Sequence, residues 1–231
     1  MKRILVVTSC TCEKRFRPQN ALVEADFKDP DRLKAREREL LAFQLPAGEM
    51  YDGVHHVCVK EGVSLLTKAR IPVDVGIVSA GYGLISESRM IVPYEITFNT
   101  MSGAHLAEVA QRLHIHDDLV KALPGYDLVF FLLGDKYLQA AGLKDYSPKE
   151  GQSLVFFAGG AARRMIPSGP NVGFVKLTPK EAHKFHYSNI WLKGYLFKKL
   201  ASAVALDPTL LDRLHADPGS IREILERFAV N

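Results

Sequence analysis

Short apolar runs recur along this chain, each closing on small or polar residues. They are 3–8 (RILVVT), 73–80 (VDVGIVSA), 126–134 (YDLVFFLLG), 153–160 (SLVFFAGG) and 172–177 (VGFVKL). Continuous runs of that length predict strands covered on both faces, as in a parallel sheet. Between them the pattern is helical. Asp29-Pro30-Asp31 reads as a helix start before LKARERELLAF. Further helices are expected over about 52–69, near 103–113 and near 116–123. From Pro179 onward the pattern is helical, over 179–186, 190–205, 208–215 and 219–229. Alternating strands and helices predict an α/β fold: an open, mostly parallel sheet with helices on both faces and the first strand central. The expected division is an α/β domain over 1–178 and a small helical C-terminal appendage over 179–231. Residues 81–102, punctuated by Gly, Ser and Pro, read as a long loop closing over a cleft.

Composition narrows the class. With 231 residues, 47% hydrophobic and 24% charged, the chain can bury a core without disulfides or metals. Thirty basic against 26 acidic residues leave +4, which permits an anionic partner without demanding one. The first apolar run is too short for a signal peptide, and none approaches the ~20 residues of a membrane span. A soluble, cytoplasmic protein with no membrane partner is expected. Three cysteines, Cys10, Cys12 and Cys58, do not form a secreted disulfide framework.

In open parallel sheets ligands bind at the carboxyl ends of the strands. The predicted strands end in Ser9-Cys10-Thr11-Cys12-Glu13-Lys14, Ser79-Ala80-Gly81-Tyr82-Gly83-Leu84, Gly134-Asp135-Lys136-Tyr137 and Ala158-Gly159-Gly160. Each alone reads as a turn; together they predict a polar cleft. Glu13, Glu95 and Asp135 are the candidate catalytic carboxylates. Ser9, Cys10, Lys14, Ser79, Tyr82, Gly83, Tyr94 and Tyr137 are the candidate substrate-binding residues. The tyrosines also read as core rings with wet hydroxyls. Cys10 reads as a nucleophile or as an inert thiol, since local sequence places no His beside it. Cys10 and Cys12 with Cys58 and His55 or His56 would make four metal donors, but there is no second CxxC, and no metal or cofactor is assigned.

The stretch 184–200 (KFHYSNIWLKGYLFKKL) is basic and aromatic. It reads either as an amphipathic helix with solvated lysines or as a phosphate-docking element with stacking aromatics. In the second reading Lys193, Lys198 and Lys199 contact phosphates, and Asn189 caps the helix beside them.

Ser9-Cys10 with Lys14, the SAGYGLI stretch at 79–85 and Pro93-Tyr94-Glu95 resemble an uncharacterised bacterial family with Ser-Cys-x-x-x-Lys and Ser-Ala-x-Tyr-Gly-Leu motifs. The Gly134/Tyr137 turn extends the resemblance over about 1–142. The resemblance implies a fold related to uracil-DNA-glycosylase-like domains and the archaeosine-synthase core. Glu95 stands where that family has Asp, and the glycosylases' Gly-x-Asp-Pro-Tyr and His-Pro-Ser stretches are missing, so their catalytic residues are not carried over. The implied function is a DNA N-glycosylase-like hydrolase excising a modified base, with DNA as partner and a role in defence against modified phage DNA. Two alternatives stand beside it: a small-molecule enzyme processing a nucleoside or nucleotide in the same cleft, and a non-enzymatic nucleic-acid-binding stress protein.

Overall fold

The computed structural model describes residues 2–185 and 191–228. In chain order the elements are β1 (Ile4–Ser9), α1 (Pro30–Glu39), β2 (Leu45–Pro46), α2 (Ala47–Met50), α3 (Val54–Lys68), β3 (Val73–Ser79) and β4 (Gly83–Ser86). They continue with β5 (Met90–Ile91), α4 (Gly103–Arg112), α5 (Ile115–Ala122), β6 (Leu128–Leu132), α6 (Asp135–Ala141), β7 (Ser153–Gly159) and β8 (Val172–Leu177). The last four are α7 (Pro179–Lys184), α8 (Leu192–Leu206), α9 (Thr209–Ala216) and α10 (Ile221–Phe228).

Six strands form one sheet in the order β4-β3-β1-β6-β7-β8, and β2 pairs separately with β5. All neighbours in the large sheet are parallel except β3 with β4. The five parallel strands therefore run 2-1-3-4-5, a doubly wound order with β1 inside, as the hydrophobic pattern predicts. Residue parity assigns the two faces. Leu5, Val7, Val129, Phe131, Leu154 and Phe156 pack toward α4, α5 and α6. Ile4, Val6, Leu128, Phe130, Val155 and Phe157 pack toward α3, α8, α9 and α10. Both faces are covered, which is why the strands are continuously apolar rather than alternating.

The 81–102 segment is more ordered than a loop. Gly83, at φ +75°, turns the chain back so that β4 adds antiparallel to β3, with Ser79 opposite Gly83. The same segment then supplies β5 and a helical turn at Phe98–Thr100. On the other face α3 and α8 pack closely. A Cβ on Gly194 would lie 2.4 Å from the His55 carbonyl oxygen, so only glycine allows this approach. Among the described residues no helix is long and apolar enough to cross a membrane.

Candidate active site

Doubly wound sheets form a crevice where strand order reverses, beside the carboxyl ends of the strands. Here the chain leaves β1 for β3 on one side and later returns to β6 on the other. The crevice at that point is a cleft of 260 Å³ lined by residues 9–13 after β1, Gly134 and Tyr137 after β6, and Gly53, Val54 and His55 opening α3. Asn99, Trp191 and Lys193 complete its rim. A second cleft of 520 Å³ shares Cys12 with the first and is lined by Lys14, Glu95, Thr97 and His105 among others.

Cys10 forms the floor of the first cleft. Its N–H continues the β1–β3 ladder to the Val78 carbonyl at 3.0 Å, which fixes the backbone. Its Sγ lies 3.1 Å from the Tyr137 hydroxyl, and that hydroxyl lies 3.3 Å from Thr97 Oγ1. Lys14 is 6% exposed, with Nζ 4.3 Å above the Tyr94 ring and 3.5 Å from the Thr11 carbonyl. Burial pushes the Lys14 ammonium down, while Cys10, Glu95 and Cys12 pull it back up. A buried amine beside a thiol and a carboxylate is the kind of perturbed group found at reactive sites.

Behind these groups lies a chain of hydroxyls. Ser79 Oγ accepts from the backbone N–H of Gly81 (3.2 Å) and Tyr82 (3.0 Å). Its own proton is therefore available to the Tyr94 hydroxyl at 2.7 Å, which lies 2.8 Å from the Tyr51 hydroxyl. Burial raises Tyr51, Tyr94 and Tyr137 above the ordinary phenol, with Cys10 adding to each, so these groups act as neutral donors.

The structure brings Ser9, Cys10, Glu13, Tyr137 and Lys193 to the first cleft and Lys14 and Glu95 to the second. Asp135 is exposed at the start of α6 and attracts Lys193 without forming an ion pair among the described contacts. Ser79 is buried one layer behind, and Gly83 serves the β3–β4 turn. Tyr82 and Tyr94 line neither cleft. Tyr94 is fully buried, and Tyr82 packs edge-on against Phe27 with its hydroxyl donating to Glu37 at 3.1 Å. Cys58 lies on α3 against α8, and among the described residues no cluster of His, Cys, Asp or Glu fits a metal ion. Sequence reading passed over Thr97, Asn99 and Gly53 as cleft residues and took His55 only as a metal donor.

The basic stretch behaves as a packed helix. Leu192, Leu196, Phe197 and Leu200 are buried in the core facing α3. Lys198 is held by Glu61 of α3 at 2.7 Å, and Lys199 lies 5.8 Å over the Tyr195 ring. Asn189 lies outside the described residues.

No family model matches the chain. A segment of 91 residues is 34% identical to part of a PDZ domain-containing protein of Schizosaccharomyces pombe, covering 39% of this chain and 9% of that protein. Among solved structures, an azoreductase from Bacillus anthracis aligns over 87% of this chain and 99% of its own, at 12% identity and a TM-score of 0.34. A likeness of that size assigns no activity. The resemblance to uracil-DNA-glycosylase-like and archaeosine-synthase-core domains is corrected, since no family model of that kind matches the chain. The DNA glycosylase reading falls with it, together with glycosidic hydrolysis, DNA as partner and the defence role. Geometry gives the physical reason. A flipped base needs an accessible aromatic face, whereas Tyr82, Tyr94 and Tyr137 are at most 9% exposed. The lysines meant for phosphates on α8 are drawn to Glu61, to Tyr195 and into the cleft.

Proposed function

We propose that this chain is an enzyme acting on a small molecule of the nucleoside or nucleotide class, bound in the joined clefts with Cys10 as its reactive group. The observation that carries the reading is the Cys10 sulfur on the cleft floor, 3.1 Å from Tyr137 Oη and beside the buried Lys14 amine. In this role Tyr137 orients the sulfur, and the buried Lys14 amine supplies a donor close to it. The two clefts share Cys12, and the second, at 520 Å³, falls within the roughly 300–1,000 Å³ of small-molecule sites. Glu95 and Glu13, one in each cleft, are the carboxylates available for proton transfer. A cytoplasmic location suits three cysteines that form no disulfide framework.

Alkylation of Cys10 by iodoacetamide in a Cys12→Ser, Cys58→Ala background, followed by peptide mass spectrometry, tests the reading. Lys14→Met, which removes the amine beside the sulfur, should slow alkylation at pH 7. Nucleosides or nucleotides should protect Cys10. If no member of either class protects it, the substrate assignment is wrong. If Lys14→Met leaves the rate unchanged, the activation of Cys10 is wrong.

A further inference from the structure

The first cleft contains a cation that nothing in the fold explains. Lys193 lines the cleft and is half-buried, yet among the described residues it forms neither a hydrogen bond nor an ion pair. An ammonium carries three donors, and burying it unpaired is costly unless a ligand completes it. Burial pushes Lys193 down and the more distant Asp135 pulls it up.

Two helix starts meet at the same place. α3 and α8 each have fifteen residues, and residues from both first turns line the cleft. The N-cap residues Gly53 and Trp191 make no side-chain capping hydrogen bond, and neither helix carries an acidic residue in its first turn. Each start carries the positive end of its helix dipole, roughly half a charge. A separate observation marks the seam between them. His55, on the cleft wall and 6% exposed, keeps Nε2 on Thr8 Oγ1 at 2.9 Å while its buried Nδ1 has no partner. A lone ammonium and two helix starts form an anion-seeking corner, with His55 in the wall behind it.

We infer that this corner is a phosphate subsite built from Lys193 and the first turns of α3 and α8, so that the substrate of the cleft is a phosphate ester. This rests on the reading of the cleft as a small-molecule site and narrows it from nucleosides to nucleotides. Glu13 opposes the anion. Its carboxylate Oε2 lies 3.1 Å from the position of a Cβ on Gly53, at the opening of α3. Glu13 is exposed, so it is free to swing into solvent as phosphate enters.

Isothermal titration of the full chain with inorganic phosphate tests the subsite. The wild type should bind. Lys193→Met should weaken binding by about tenfold or more, the loss of one charge-assisted hydrogen bond. Lys193→Arg should keep it, and Glu13→Gln should strengthen it. Circular dichroism melting of each variant separates lost binding from lost fold. Equal phosphate affinity in wild type and folded Lys193→Met overturns the subsite, as does a wild type that does not bind phosphate. Protection of Cys10 by adenosine and by adenosine monophosphate separates the two claims. Protection by adenosine without phosphate binding removes the subsite alone. Lys193-dependent phosphate binding without protection by any nucleotide keeps the subsite and removes the nucleotide reading.

Discussion

Two imidazoles buried without charge should make this protein sensitive to mild acid. His55 is 6% exposed and His56 1%. Burial holds His55 down to about 3, with Lys193 and His56 adding to the effect. Burial holds His56 down to about 4, with Lys60 adding and the Gly48 backbone opposing. In the unfolded chain both titrate near 6.5. The folded values lie below the unfolded one, so between them the unfolded chain binds more protons. Stability from these two groups is complete above about pH 6.5 and falls as the pH drops toward 4 and then 3. Each unmatched proton costs about 1.4 kcal/mol per pH unit, and since the unfolded imidazoles are half protonated at pH 6.5, two histidines cost roughly 3 kcal/mol between pH 6.5 and 5. That is a large part of the roughly 5–15 kcal/mol available to a folded domain. Asp26 and Glu24, held below their ordinary values, lose their contribution only at lower pH, outside this window.

Urea unfolding at pH 7.5, 6.5, 5.75 and 5 measures the effect. The slope below pH 6 should approach two protons, about 2.7 kcal/mol per pH unit. His56→Phe, whose ring can replace the edge-on contact with Tyr51 (centroids 5.5 Å apart), should reduce the slope to about one proton. His114→Asn should leave it unchanged, since His114 is exposed and Asn tolerates its left-handed backbone. A loss below about 1 kcal/mol between pH 6.5 and 5, or a slope unaffected by His56→Phe, would refute the neutral buried imidazoles.

The hydroxyl chain behind Cys10 gives an ordered pair of outcomes. Tyr94→Phe removes the partner of both Ser79 and Tyr51 and should cost about 2–4 kcal/mol, at about 2–4 °C of Tm each. Tyr51→Phe cuts only the end of the chain and should cost about 1 kcal/mol; equal losses in thermal melts would show that the protons are not ordered as argued. Gly194→Ala places a Cβ 2.4 Å from the His55 carbonyl and 2.9 Å from Nδ1, forcing α8 away from α3. Overpacking of about 1–3 kcal/mol should outweigh the helix-propensity gain of about 1 kcal/mol, and phosphate affinity should fall with it. Gly62→Ala meets the Phe197 ring at 2.8 Å and the Lys198 Cα at 3.3 Å, and should cost less because its tightest contact is a side chain rather than a backbone carbonyl at 2.4 Å.

What the sequence made legible was whatever depends on neighbours along the chain. The run VGFVKL coincides with β8, and Asp29-Pro30 caps α1 as expected, with the Asp29 carboxylate accepting from the N–H of Asp31 and Arg32. β4 was hidden because four residues after a glycine turn carry too little periodicity, and their strand character comes from pairing with β3. The same distinction governs the site. Glycines and polar residues at strand ends marked the carboxyl edge of the sheet, since a parallel sheet brings all such ends together. Which residues face the cleft depends on contacts between distant positions. Tyr94 lies in the long segment that suggested a binding aromatic, yet hydrogen bonds to Ser79 and Tyr51 draw its ring into the core. Lys193 sits in a stretch whose charge pointed outward to a polyanion. The close approach of α8 to α3 instead turns this lysine toward Cys10's cleft while its neighbour Lys198 stays with Glu61. Net charge and local pattern treat the two lysines alike. Helix packing gives one to the surface, beside Glu61, and one to the cleft.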